Sequence, residues 1–576
     1  MIEGINNVQD LKKLNLEQLN ILKDEIREIL LNKILVTGGH LAPNLGVVEL
    51  TIALHYVFNS PEDKIIFDVS HQSYVHKILT GRKEGFINKE LWGSLSGFTT
   101  PKESKHDLFK VGHTSTSISL GLGVCKARDL NNDNYNVISI IGDGSLSGGE
   151  AYEGLNNASL LKSNYIIIVN DNEMSISTNV GGLYKNLEEL RNSNGKASLN
   201  FFKTLGFDYL YIEEGNNVEV LINNFNKIKN IDHPLIVHVH TLKGKGYDLA
   251  ELDKEKYHYA TILRNNNETY QEITNKYLLK KIKEDEKLVV VNAATPIACG
   301  ISKEFRETAK DRYVDVGICE EHAIAYISGM AKFGGHPLFL VMSNFLQRTY
   351  DQLNQDLAMN NSPATIVIFN GGIIGGDCTH VGMYDIGMMN NIPNLVMLAP
   401  TNKDEYLEML EYSLSQNEHP IIIRAPLEVI NKKHPYKFNK DELFNNKINY
   451  IGEDVAIFAL GSFYNLGEEV HSLLKEKGIN ATLINPRIYS TLDTQLINEL
   501  IKTHKIFVTL ENGVINGGYG ETLGSYVSKF NKVVLNYGAK KDYNDLISKD
   551  KIFKMNRLEK ELIVDDVLSS LKSLDF

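Results

Sequence analysis

Two loops, each ending a run of β-forming residues on an oxygen-bearing side chain, are where this sequence could do chemistry. In "NVISIIGDGSLSGGE" the apolar run stops at Gly142, Asp143, Gly144 and Ser145, and in "NYIIIVNDN" a second run stops at Asn170, Asp171 and Asn172. Asn172 lies 29 residues past Asp143, the length of one strand, helix and loop. That spacing predicts neighbouring parallel strands whose carboxyl ends bring both oxygens to one point, the place where open α/β sheets bind ligands. Hard oxygens, one of them anionic, suit Mg²⁺ or Ca²⁺, which would complete its shell from water, a backbone carbonyl and a diphosphate. Gly142 and Gly144 let the backbone approach phosphates, and the helix start after Ser145 favours anions. Gly-Asp-Gly alone is more often a turn; its pairing with the second loop makes a metal-bridged diphosphate site the better reading.

The rest of the chain must position those loops. Its 576 residues, 43% of them hydrophobic and 9% aromatic, can fill several packed cores. A net charge of −12 argues against nucleic acid, whose binders gather Lys and Arg on one face, and leaves small molecules as the expected partners. Cys125, Cys299, Cys319 and Cys378 are scattered, with no CxxC pair, which predicts thiols in a reducing compartment rather than disulfides or zinc. Leucines and isoleucines at helical spacing predict an amphipathic helix near the N-terminus, and no apolar run approaches the ~20 residues a bilayer needs. The expectation is an untargeted, cytoplasmic protein with no membrane partner.

Strand-like runs alternate with helical patterns in three blocks. "NVISIIGDG", "NYIIIVNDN" and "HPLIVHVHTLKGKG" fall in the first; "LVVVNAATP", "PATIVIFNGG", "NLVMLAPTN" and "PIIIRAPLE" in the second; "DVAIFALGS", "NATLINPRI" and "KIFVTLENG" in the third. The reading is three parallel-sheet α/β domains at 1–265, 283–430 and 445–576, with the polar stretch "LRNNNETYQEITNKYLLKKIKEDEK" as the link between the first two.

The paired loops resemble the signature of thiamine diphosphate enzymes. "TGGHLAPNLGVVELTIALHYVF", "DVSHQSYVHKILTGR", "VGHTSTSISLGLG", "TLKGKGY", "CEEHAIAYISGMA" and "SNFLQRTYDQ", in that order, narrow the resemblance to the 1-deoxy-D-xylulose-5-phosphate synthases, a transketolase-like family. The resemblance implies the transketolase-like thiamine diphosphate fold, a homodimer, and transfer of the two-carbon unit of pyruvate to D-glyceraldehyde 3-phosphate with loss of CO₂, a step toward isoprenoids, thiamine and pyridoxal. Carried over by position, Asp143, Asn172 and the Met174 carbonyl would ligate Mg²⁺. His71, Gly112, His113, Thr114, Ser115, Gly142, Gly144, Ser145, Lys243, Tyr247 and Phe345 would line thiamine diphosphate, with the first block holding the diphosphate, the second the aminopyrimidine, and the third noncatalytic. Glu320 would hydrogen-bond the pyrimidine and so activate the thiazolium. Standing alone, "EEH" is more often a solvated acidic turn. The apolar runs on either side, "VDVGI" and "AIAYISGMA", instead predict a buried helix start, where an unpaired carboxylate is costly and a ring nitrogen relieves it. His40, His258 and His380 match histidines that crowd the substrate, and imidazole suits proton exchange near neutral pH. Asp377 and His380, in "GGDCTHVG", fit a pair beside the donor substrate, in a loop one residue shorter than the family's. His55, His76 and His233 carry no assigned role.

The departures fall on one pocket. Arg348 matches an arginine that grips the acceptor phosphate, but Asn370 and Leu427 stand where two more arginines are expected, and Met342 where a tyrosine is. Either a Lys or Arg from a shifted loop supplies the missing charge, or the acceptor is a different or unphosphorylated aldehyde. The segment between "NDNEMSIS" and "FFKTLGF" is also short for the family, which predicts a different cover over the site. A catalytically silent binding subunit is the remaining alternative, and the joint presence of Asp143, Asn172, Glu320, His40 and His380 argues against it.

Overall fold

The computed structural model describes residues 1–260, 267–430, 442 and 444–574. The expected domain limits at 265 and 576, and the start of the polar link, lie outside them. Two compact units result: Met1–Asn267 with Gly317–Cys319, and Glu268–Val316 with Glu320–Phe576.

In the first unit the strands Lys64–Phe67, Val137–Gly142, Tyr165–Asp171, Pro234–His240 and Asp208–Ile212 lie side by side in that order, all parallel. Tyr165–Asp171 is buried throughout because helices cover both faces, which is why it reads as an unbroken apolar run. Truncating Ile168 at its centre, fully buried, to alanine is expected to cost about 2–5 kcal/mol. The amphipathic N-terminal helix is Leu16–Thr37; an Asn15/Gln18 capping box starts it, and Leu19, Leu22, Ile26, Leu30 and Ile34 recur at its buried face. The helix Ser117–Asn131 packs so closely on the sheet that a Cβ at Gly121 would lie 2.3 Å from the Tyr165 hydroxyl and 2.4 Å from Ser139 Oγ. That contact sets the loop leading into the helix. A short antiparallel pair joins Gly39–His40 to Tyr259–Ala260.

The second unit holds two sheets. In one, Val396–Leu398, Ile421–Arg424, Thr365–Phe369, His336–Met342, Leu288–Asn292 and Tyr313–Asp315 are all parallel. In the other, Lys447–Tyr450, Thr482–Asn485, Asp454–Ala459, His504–Val514 and Val533–Ala539 follow in order, parallel except for the antiparallel edge strand Lys447–Tyr450. The third sheet is therefore mixed where the sequence predicts a parallel one. Arg424 ties the two sheets together, donating to Asp385 Oδ2 (2.7 Å) and to the Asn512 carbonyl (2.9 Å). Much of the polar link is a packed helix, Tyr270–Glu284, opened by a Thr269/Glu272 capping box and burying Tyr270, Ile273, Leu278 and Ile282. No described helix is long and apolar enough to cross a membrane.

Candidate active site

Parallel pairing sets Gly142 opposite Asn170, so the two loops leave the sheet side by side. Asp143 and Asn172 are 1% and 5% exposed, yet Asp143 Oδ1 and Asn172 Oδ1 have no hydrogen-bond partner. Two buried oxygens without donors are costly in an apolar setting, and a hard cation is what such a pair fits. Burial, with Asp171 beside it, pushes the Asp143 carboxyl well above the usual carboxylate range; a bound cation reverses that bias. Met174 follows in the turn that brings Met174 opposite Thr178. A Cβ at Gly144 would stand 2.6 Å from the Ser175 Cβ, so only glycine lets the loops meet.

Neighbouring residues hold these loops, and the motifs do not single them out. Asn179 Nδ2 donates to Asp143 Oδ2 at 2.6 Å, and the Tyr184 hydroxyl donates toward the carbonyls of Asp143 (3.2 Å) and Gly144 (3.3 Å). Arg191 donates to Asp171 Oδ2 at 2.6 Å, and His238 Nε2 lies 2.8 Å from the same oxygen. Asn179, Tyr184 and Arg191 all belong to the segment the sequence marks as short; its helix, Gly182–Asn192, is a brace for the Asp143 and Asp171 loops. On the other side, both oxygens of Asp68 accept backbone N–H groups, from Ser115 (2.9 Å) and Ser117 (3.0 Å), and Ser115 Oγ donates to the Ser145 carbonyl (2.8 Å). Gly112 is buried and His113 and Thr114 half-buried in the same loop.

Three of the expected histidines converge. Ring centroids of His40 and His71 lie 5.0 Å apart, His40 and His258 5.7 Å, and His71 and His258 5.6 Å. Asn44, fully buried, donates one N–H each to the carbonyls of His40 and His71, both at 2.8 Å, and so fixes two loops with one amide. Burial, then the charges of Lys243 and the other two imidazoles, holds His258 well below the ordinary histidine range. Lys243 is itself buried, which pulls its ammonium down to about 8; its Nζ donates to the Ser175 carbonyl at 2.5 Å. Tyr247 packs edge-on to Tyr257 (5.6 Å) in the loop whose Gly244 N–H bonds the Ala42 carbonyl. His55 and His76 form a buried pair against Asp107, a structural role.

The second unit carries the remaining residues. Glu320 opens the helix Glu320–Lys332 and is 3% exposed. Burial pushes its carboxyl up to about 7 against the lowering charge of Arg348, whose Nη1 stands 3.7 Å from Oε2. The Phe345 ring meets His380 edge-on at 5.7 Å. Burial pulls His380 down to about 4, opposed by Asp377. Asn370 Oδ1 accepts from Gln271 Nε2 at 3.3 Å, Met342 packs against the apolar core, and Leu427, 38% exposed, lines a cleft of about 500 Å³ with Gly371, Glu428 and Lys549. So Asp143, Asn172, the three histidines and Lys243 share one unit, and Glu320, Phe345, Arg348, Asp377 and His380 the other.

Residues 2–200 and 195–241 match the family described as 1-deoxy-D-xylulose-5-phosphate synthase, 267–431 the transketolase pyrimidine binding domain, and 446–555 the transketolase C-terminal domain. The 1-deoxy-D-xylulose-5-phosphate synthase of Alkaliphilus oremlandii is 42% identical over 563 residues, 90% of this chain and 90% of its own. That of Caldanaerobacter subterraneus is 38% identical over 627 residues, 100% of both chains. Among solved structures, the transketolase of Leishmania mexicana aligns with 96% of this chain and 97% of its own, at 13% identity and a TM-score of 0.47.

Proposed function

The chain belongs to the 1-deoxy-D-xylulose-5-phosphate synthase family, and on that premise we propose how its own residues carry the reaction. The activity is thiamine diphosphate-dependent decarboxylation of pyruvate and transfer of the two-carbon unit to D-glyceraldehyde 3-phosphate, giving 1-deoxy-D-xylulose 5-phosphate and CO₂. One observation carries the assignment of residues: the buried oxygens of Asp143 and Asn172 at adjacent strand ends, both without a donor.

We assign 1–265 to diphosphate and metal binding, 283–430 to the pyrimidine and 445–576 to a C-terminal domain outside the chemistry. Asp143, Asn172 and the Met174 carbonyl would hold Mg²⁺, the cation that pairs with a bound diphosphate. Thiamine diphosphate, when bound, supplies the nucleophilic carbon that takes up pyruvate and the electron sink for its decarboxylation. Glu320, with its carboxyl at about 7, still carries its proton over much of the neutral range and can present it to a ring nitrogen. Burial holds His258 and His380 below the ordinary histidine range, so each is a neutral base that can take a proton from a substrate hydroxyl and, once charged, return it to an alkoxide; His40, its ring 5.7 Å from that of His258, would share that work. Arg348 and Asp377 bind and orient the substrates.

A homodimer completes the reading. The helix Glu320–Lys332 leaves Tyr326 38% exposed, and Phe333, seven residues on, is 94% exposed, with Met359 at 64% on the segment packed beside it. An apolar face of that kind fits a twofold contact with a second copy. Four cysteines outside any disulfide fit the cytoplasm. The test is to supply the purified chain with Mg²⁺ and thiamine diphosphate and follow CO₂ from pyruvate with and without D-glyceraldehyde 3-phosphate. Cofactor-dependent CO₂ release and the five-carbon product are expected; no release at any cofactor concentration removes the assignment.

A further inference from the structure

Between Asp377 and His380, the pair read as facing the donor substrate, lies a threonine with no assigned role. Asp377 Oδ1 accepts the Thr379 backbone N–H at 3.0 Å and the Thr379 hydroxyl at 2.8 Å. The same Thr379 Oγ1 is 2.7 Å from His380 Nδ1. A hydroxyl has one proton to give, and an ionised carboxylate can only accept. Once the Thr379 proton is committed to Asp377, the bond between Oγ1 and Nδ1 needs its proton from the imidazole. His380 then carries its hydrogen on Nδ1 and keeps a lone pair on Nε2. The turn Cys378–His380, capped by the Asp377 side chain, holds all three groups in one register, and the Phe345 ring packs edge-on to the imidazole at 5.7 Å.

We propose that Thr379 is a positioning residue that relays the Asp377 carboxylate to His380 and fixes its Nδ1–H tautomer, so that Nε2 is the atom that takes and returns the substrate proton. The proposal rests on the reading of His380 as a substrate-facing base. Which ring nitrogen is basic is set by the bond the other one makes, and a proton on the wrong nitrogen leaves the base facing the wrong way. Thr379→Val keeps the shape and removes the hydroxyl oxygen that accepts Nδ1–H; Thr379→Ser keeps it.

The tautomer is read directly from ¹⁵N shifts of histidine-labelled full-length chain near neutral pH, with His380 assigned by its loss in His380→Gln. The native chain and Thr379→Ser are expected to show His380 protonated on Nδ1, and Thr379→Val to show it on Nε2. In parallel, kcat with pyruvate and D-glyceraldehyde 3-phosphate is expected to fall roughly 10- to 100-fold in Thr379→Val, short of the roughly 100- to 10,000-fold of a whole general acid–base contribution because the imidazole itself remains, with the pyruvate KM within about threefold and most of the rate restored in Thr379→Ser. A native His380 protonated on Nε2, or a tautomer unchanged in Thr379→Val, overturns the proposal. A reversed tautomer with an undiminished rate overturns its catalytic part while leaving the reading of His380 in place. A native-like rate in His380→Gln instead removes that reading, and the proposal falls with it.

Discussion

Arg348 Nη1 stands 3.7 Å from Glu320 Oε2, both side chains largely buried. From sequence, the arginine is a grip for the acceptor phosphate and the glutamate the acid that activates the cofactor. Their proximity couples the two tasks, because the guanidinium opposes the burial that lifts Glu320 to about 7. A phosphate drawn to Arg348 shares its charge and relaxes that opposition.

Arg348→Met keeps the bulk and deletes the charge. The Glu320 carboxyl then rises further above 7 and stays protonated to higher pH, so the alkaline limb of the pH–rate profile should move up by about half a unit or more. The measurement is pyruvate decarboxylation without acceptor across pH 6–9, where loss of a phosphate grip does not contribute. A limb that stays in place, or moves down, contradicts the coupling.

Glu320 also makes a stability prediction for the cofactor-free chain. Its folded value, about 7, lies above the ordinary 4.5, so the unfolded chain ionises first as pH rises. The native state therefore loses stability from about pH 4.5 upward, and the penalty is complete above about pH 7, on the order of 3 kcal/mol. Glu320→Gln should be inactive yet melt higher than the native chain at pH 8, with the gap closing toward pH 4. Equal melting at both pH values would show that the buried carboxyl costs nothing.

Asn179 holds the Asp143 carboxylate through one oxygen and leaves Oδ1 for the proposed metal ion. Asn179→Ala frees the carboxylate to rotate, and loss of a charge-assisted hydrogen bond of about 1.5–3 kcal/mol should weaken Mg²⁺ by at least about tenfold. Thiamine diphosphate affinity should fall with it if the metal bridges the two, as proposed. Calorimetric titration of each, with and without the other, reads both affinities; retention of either at native strength counts against the bridge.

These tests separate what was legible in the sequence from what was not. Asp143 and Asn172 could be paired in advance because a strand, a helix and a loop have nearly fixed length, and the fully buried parallel strands announce themselves as apolar runs. Asn179, Asn44 and Asp68 could not, since each acts through one or two hydrogen bonds of which at least one reaches a residue more than 20 positions away, and no periodicity marks such a contact. The helix Tyr270–Glu284 was hidden because its four main apolar positions sit among lysines and glutamates; the Thr269-x-x-Glu272 capping box was the signal available. The antiparallel edge strand Lys447–Tyr450 has too few residues for pattern to fix its direction.

The acceptor pocket gives the last prediction. Asn370 is engaged with Gln271, Met342 packs against the core, and Leu427 lines a cleft whose lining also holds Lys560 and Lys549, the latter bonded to Glu428 at 2.8 Å. Neither Leu427 nor Met342 can donate to a phosphate, so under the proposed function the charge that binds it would come from Arg348, with Lys549 as the second candidate. The native enzyme should therefore prefer D-glyceraldehyde 3-phosphate over D-glyceraldehyde by more than about tenfold in kcat/KM, or ~1.4 kcal/mol. Lys549→Met and Arg348→Met should each erode that preference, the arginine more, because a planar fork binds phosphate through two bonds where an ammonium offers a point charge. Neither change should alter the constant for the unphosphorylated aldehyde by a comparable factor. A native preference below tenfold would mean that Asn370, Leu427 and Met342 form a pocket for a neutral aldehyde, while a strong preference untouched by Lys549→Met would assign the whole grip to Arg348.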